Sequence, residues 1–144
     1  MRGSPTSPGR QTSGAGRGTL SGMTDYEAIG GGQALETIVR DFIGRTSRDM
    51  IIGFFFRNAD KQRVVAHEIE HASRVLGGPS KYTGRPLVPL HRGLRINRGH
   101  FRRRLALLRT VLREQGVDEG VIERWLAHDR QLEGQITDGT DCVE

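Results

Sequence analysis

The sequence predicts an all-α fold, and three observations carry that prediction. Apolar residues recur at helical spacing in four separate windows. A capping residue or a glycine stands at the ends of most of those windows. No stretch alternates apolar and polar residues as a half-buried strand does. The 144 residues suffice for one domain with a modest core. With 35% hydrophobic and 6% aromatic residues, that core must rest on Leu, Val and Ile.

The elements follow in order. Helical patterning starts at Gly32, with Leu35, Ile38, Val39, Phe42 and Ile43 at i, i+3, i+4, i+7 and i+8. The apolar run Met50 to Phe56 comes next, broken by Gly53. Asp60 is the expected cap of a helix from Lys61 to Leu76, stopped by Gly77-Gly78-Pro79. Pro86 and Pro89 allow only a short helix within 87–96. Asn97 caps a long helix with Phe101, Leu105, Leu108 and Leu112 on one face, ending near Gly116. Asp118 caps the last helix, with Val121, Ile122, Trp125, Leu126, Leu132 and Ile136 on its buried side.

Charge and composition narrow the function. The net charge is +5 and the isoelectric point about 10.3. Residues 1–22 hold Arg2, Arg10 and Arg17 and no acid, so the remaining chain carries only +2. That stretch is Gly, Ser, Thr and Pro with little to bury, and it is expected to be a disordered tail before a domain at 23–140. One cysteine, Cys142, builds no disulfide framework and fits a reducing compartment. No apolar run is long enough to span a membrane, and the expected location is the cytoplasm.

Two segments invite other functions. His67-Glu68-Ile69-Glu70-His71 is an H-E-x-x-H pattern, in which two histidines one helical turn apart hold zinc and the glutamate activates water. The pattern supplies two ligands where a catalytic zinc needs three. Arg74 and Gly77 stand where the extended motif has Gly and His. A small zinc hydrolase therefore stays as the alternative. His91 to Leu105 is densely basic, but with Phe101, Leu105 and Leu108 inward, Arg102 and Arg103 face solvent and Arg104 lies at the boundary. With few aromatics to stack on bases, no specific nucleic acid partner is expected.

Several segments, in order and at compatible spacing, resemble the truncated globins, short 2-on-2 helical haem proteins, and group I most closely. They are YEAIGGGQAL (Tyr26 to Leu35), VRDFIGR (Val39 to Arg45), GFFF (Gly53 to Phe56), LGGPSKYTGRPL (Leu76 to Leu87), LHRGLRINRGHF (Leu90 to Phe101) and EQGV (Glu114 to Val117). The resemblance covers about residues 24–136. LGGPxxYxG followed shortly by HxxLxI is its most specific part.

The resemblance implies a helical sandwich around haem b, with His91 as the proximal iron ligand. A haem imidazole binds iron through one nitrogen while an acceptor holds the other. It further implies that Phe56 packs on the porphyrin, and that Tyr82, Leu87, Ile96 and Phe101 line or close the proximal side. For Ile96 the residues alone do not separate a haem wall from ordinary core. The helix carrying HEIEH becomes the distal helix: Val64, Glu68 and His71 face the haem, and His67 sits at its edge near a propionate. On this view H-E-x-x-H is a coincidence of helical spacing.

Two positions depart from group I. Ile43 stands where a distal tyrosine is usual, and Glu68 where a glutamine is common. Neither Ile43 nor Val64 can donate a hydrogen bond to a polarised ligand, and an ionised Glu68 would repel it, unless burial keeps it protonated. The first expectation is an atypical binder of oxygen, nitric oxide or carbon monoxide. A six-coordinate haem ligated by His67 or His71, for redox or sensing, is a second outcome. In the third, Glu68 serves as acid or base on a peroxide-like ligand. Nitric oxide dioxygenase or peroxidase-like activity, with a reductase as partner, is the enzymatic expectation. No catalytic residue is assigned.

Overall fold

Thr24 opens the helical part of the chain. In the computed structural model, which describes residues 22–79 and 96–136, the Thr24 hydroxyl accepts from the Glu27 N–H and the Glu27 carboxylate accepts from the Thr24 N–H. This reciprocal cap satisfies two amides left over at a helix start. It begins a short helix α1 (Asp25–Ile29), closed by Gly30 at φ 112°, in the left-handed region that glycine tolerates. The long helix α2 (Gly31–Arg48) follows at once. Periodicity from Gly32 onward finds α2 and misses α1, which contributes no fully buried residue.

α2 buries Leu35, Ile38, Val39, Phe42, Ile43 and Thr46, the expected stripe extended by one turn. Its C-terminal exit is held by Asp49, whose carboxylate accepts from the Ile51 and Ile52 amides. The apolar run then forms a 3-10 turn, Gly53–Phe56. α3 (Lys61–Val75) starts on Asp60, which accepts from Gln62 and Arg63 as expected. It ends where Gly77 takes φ 85° and the Gly78 N–H donates back to the Ser73 carbonyl at 2.7 Å.

α4 (Arg98–Glu114) opens on a second reciprocal cap. Asn97 Oδ1 accepts from the His100 amide, and His100 Nδ1 accepts from the Asn97 amide at 3.1 Å. α5 (Glu119–Gln131) is capped by Asp118. The expected last helix is interrupted at Leu132, and a four-residue α6 (Glu133–Ile136) follows. Among the described residues there is no strand. No helix there is long and apolar enough to cross a membrane.

α2 packs on α3 and on α4, and α4 packs on α5, giving two layers of two long helices. The layers share one apolar cluster that includes Leu35, Phe42, Phe101, Leu108, Ile122 and Trp125. Burying each of its large side chains contributes about 1.5–3 kcal/mol. Ion pairs cross between elements at the periphery: Arg124 with Asp25, Arg45 with Glu114, and Arg103 with Asp49.

Candidate functional site

α3 carries the H-E-x-x-H residues, and the structure separates their roles. His67 is exposed. Val64, one turn earlier, is half-buried against the core cluster. Glu68 turns inward to the face of α4, where its Oε2 accepts from Arg104 Nη2 at 2.8 Å. The other Arg104 terminal nitrogen, Nη1, donates to Asp129 Oδ2 on α5 at 2.6 Å. One guanidinium thus joins three helices.

The surroundings of Arg104 set its charge. Its guanidinium carbon lies 5.0 Å from the centre of the Phe42 ring, a cation held against an aromatic face. Burial opposes the charge, but Glu68 and Asp129 outweigh it and hold the guanidinium more firmly protonated than usual. Burial likewise pushes the Asp129 carboxyl up, yet Arg104 and then His71 bring it below the usual carboxylate range. His71 Nε2 approaches Asp129 Oδ1 at 3.9 Å, too far for a hydrogen bond, so the attraction is between charges. Asp129, with Glu68 behind it, raises the His71 imidazole above its ordinary value despite its partial burial. Asp129 Oδ1 and Trp125 Nε1, one turn apart on α5, have no hydrogen-bond partner among the described residues.

This arrangement adds ion pairs to the expected basic run of α4. Arg104 keeps its expected place at the solvent boundary, with 24% of its side chain exposed, while its guanidinium reaches into the network. Arg103, expected in solvent, makes a two-pronged ion pair with Asp49, Nε donating at 3.0 Å and Nη2 at 2.6 Å. Hydrogen bonding from Arg103 in turn lowers the Asp49 carboxyl below its usual range. Arg102 is exposed as expected. His100 is a cap, its ring edge-on to Phe55 with centroids 5.0 Å apart.

The remaining expected site residues divide into two sets. Ile43 and Phe101 are buried in the core cluster, and Phe56, Val64 and Ile96 pack half-buried against it. His71 belongs to the charged network. Tyr82, Leu87 and His91 lie outside the described residues. Sequence reasoning missed Arg104 and Asp129. A signal for Asp129 was present: it falls at i+7 from Ile122 and i+4 from Trp125, on the apolar stripe, where an acid needs a buried partner.

The fold agrees with the comparisons to known proteins. Residues 24–138 match the model of the bacterial-like globin family. The chain belongs to the bacterial-like globins. It is 32% identical over 114 residues to the group 1 truncated hemoglobin GlbN of Mycolicibacterium paratuberculosis, spanning 79% of this chain and 84% of that one. It is 34% identical over 103 residues to the corresponding Synechocystis protein, spanning 69% and 83% of the two chains. The crystal structure of truncated hemoglobin from Tetrahymena pyriformis in its Fe(III) form superposes with a TM-score of 0.76 at 26% identity, covering 82% of this globin and all of the other chain. The two-layered helical fold is therefore that of a truncated 2-on-2 globin, and its cofactor is haem b.

The described residues suit that cofactor. A flat macrocycle needs apolar walls and an open edge for its carboxylates. Ile43, Phe56, Val64, Ile96 and Phe101 converge on one apolar cluster, and exposed His67 lies beyond it on α3.

Proposed function

We propose that this globin reversibly binds a diatomic gas, oxygen, nitric oxide or carbon monoxide, on haem b held by His91. The observation that carries the reading is the globin match across residues 24–138, which spans the helix bearing Val64 and Glu68 and the segment bearing His91. Haem supplies the open iron coordination position where such a gas binds. The chain supplies the walls: Ile43 and Val64 on the distal side, Phe56 against the ring, and Tyr82, Leu87, Ile96 and Phe101 on the proximal side. Exposed His67 meets a propionate at the haem edge on this reading. A reductase is the natural partner wherever the iron oxidises.

The zinc hydrolase is disfavoured by geometry. Glu68, its required base, is paired with Arg104, and His71 lies beside Asp129. Among the described residues no group of three His, Cys, Asp or Glu side chains is arranged to hold a metal.

The test is a visible spectrum of the hemin-loaded chain in ferric, reduced and CO-bound states. The expected result is an intense Soret band that shifts with CO, survives gel filtration and is lost in His91→Ala, while helicity persists. The reduced spectrum before CO reports whether His67 or His71 occupies the sixth position. Failure to retain haem, with stoichiometric zinc in the isolated protein, overturns the reading.

A further inference from the structure

Among the residues the sequence places on the distal side, only His71 can donate, and its Nε2 lies toward Asp129 Oδ1 at 3.9 Å. Ile43 and Val64 are hydrocarbon, and Glu68 accepts. We infer that Arg104 is the hydrogen-bond donor and specificity-determining residue of the distal pocket, favouring anionic or negatively ended small ligands. This rests on the haem reading proposed above.

Two contacts place the guanidinium beside that wall. It binds Glu68, which stands one turn from Val64 on the distal helix. It covers the ring of Phe42, the chain neighbour of Ile43 on α2. The guanidinium has five N–H donors. One on Nη1 serves Asp129 and one on Nη2 serves Glu68, so donors remain after both ion pairs.

The pairing also changes what Glu68 does. A bare carboxylate in the distal pocket repels the negative end of a ligand, whereas a carboxylate spent on a guanidinium anchors it. Asp129, 2% exposed, is the second anchor. Anchored from α3 and α5, the planar head of Arg104 is oriented before any ligand arrives. Ligands that carry charge on the atom away from the metal gain from such a donor, and carbon monoxide gains little. Arg104 thus replaces a tyrosine hydroxyl with a permanent cation, and Glu68 becomes a positioning residue.

The test removes the carboxylate first, so that loss of Arg104 does not merely unmask it. Glu68→Gln is compared with Glu68→Gln/Arg104→Met, both loaded with hemin. Azide affinity is measured in the ferric state, and CO affinity and the C–O stretching frequency in the reduced state. Unfolding of each apoprotein in urea is followed alongside. The expected result is an azide affinity lower by about tenfold or more in the double variant, the weight of one charge-assisted hydrogen bond. CO affinity should change by less than about threefold, and the C–O stretch should move to higher frequency as positive potential is lost. Glu68→Gln/Arg104→Lys should recover part of the azide affinity, and it replaces the methionine variant if that one fails to fold. Unchanged azide affinity and an unchanged C–O stretch in a variant that retains haem would overturn the inference while leaving the haem reading intact. Absence of a Soret band in the unaltered chain overturns both.

Discussion

Asp129 offers one oxygen to Arg104 and the other to the field of His71, inside a protein that leaves it almost no solvent. Removing one partner of a buried charge pair is costly because the other stays buried without compensation. Asp129→Ala should therefore lower unfolding stability by about 3 kcal/mol in urea at pH 7, with Glu68 still holding Arg104. A loss below about 1 kcal/mol would show that Arg104 swings out to water instead. The pH dependence has a defined sign. The folded His71 pKa is raised, so its contribution is complete below the unfolded value near 6.5 and is lost as pH rises through the higher folded value. The folded Asp129 pKa is depressed, so its contribution is complete above 3.8 and disappears as pH falls through the lower folded value. Apoprotein stability should decline as pH rises from about 6.5, and His71→Gln should remove that slope. A slope that survives the substitution belongs to another group.

At the scale of elements, the 3-10 turn after α2 depends on Gly53. A β-carbon there would stand 2.8 Å from the Ser47 carbonyl oxygen and 3.4 Å from that of Thr46, both backbone atoms that cannot step aside. Gly53→Ala should cost about 1–3 kcal/mol by urea unfolding, the usual range for forced overpacking. A neutral result would mean that the C-terminal turn of α2 yields. The same comparison shows what a sequence can reveal about elements. Asp60, Asn97 and Asp118 announced α3, α4 and α5 because capping is local chemistry between residues two or three apart. α1 was silent because it has five residues and no buried stripe, and at the break the nearest glycine, Gly134, falls two residues beyond Leu132. Ile43 and Phe101 were legible as buried residues through periodicity. The Glu68–Arg104–Asp129 network was not, since its partners lie 36 and 25 residues apart and only the packing of α3, α4 and α5 brings them together. Local pattern assigned Arg104 to an edge, and tertiary structure made it a hub.

At the scale of the whole molecule, the contacts that close the domain begin at Thr24. Thr24 caps α1, the Tyr26 N–H donates to the Leu76 carbonyl at 2.9 Å, and Asp25 accepts from Arg124 on α5. The Tyr26 ring also lies where a β-carbon on Gly78 would stand, 2.3 Å from its nearest atom. α1 is thus a clasp between α5 and the C-terminal end of α3, just before the segment that leads to His91. Residues 1–21 carry three of the five net positive charges. We propose 23–140 as the folding domain, and this makes two truncations unequal. A chain begun at Met23 should match the full chain in melting temperature and in the Soret band of its hemin complex. A chain begun at Gly31 loses the clasp, and loss of even 1 kcal/mol should lower the melting temperature by roughly 4 °C. Its hemin should also pass more readily to a competing apoprotein, because the path from α3 to His91 has lost the Tyr26 support. Thermal melts and hemin transfer on the three chains decide the matter. Equal behaviour of all three would mean that α1 rides on the domain without holding it. A deficit already present in the Met23 chain would place part of the domain within the arginine-bearing stretch and move its boundary.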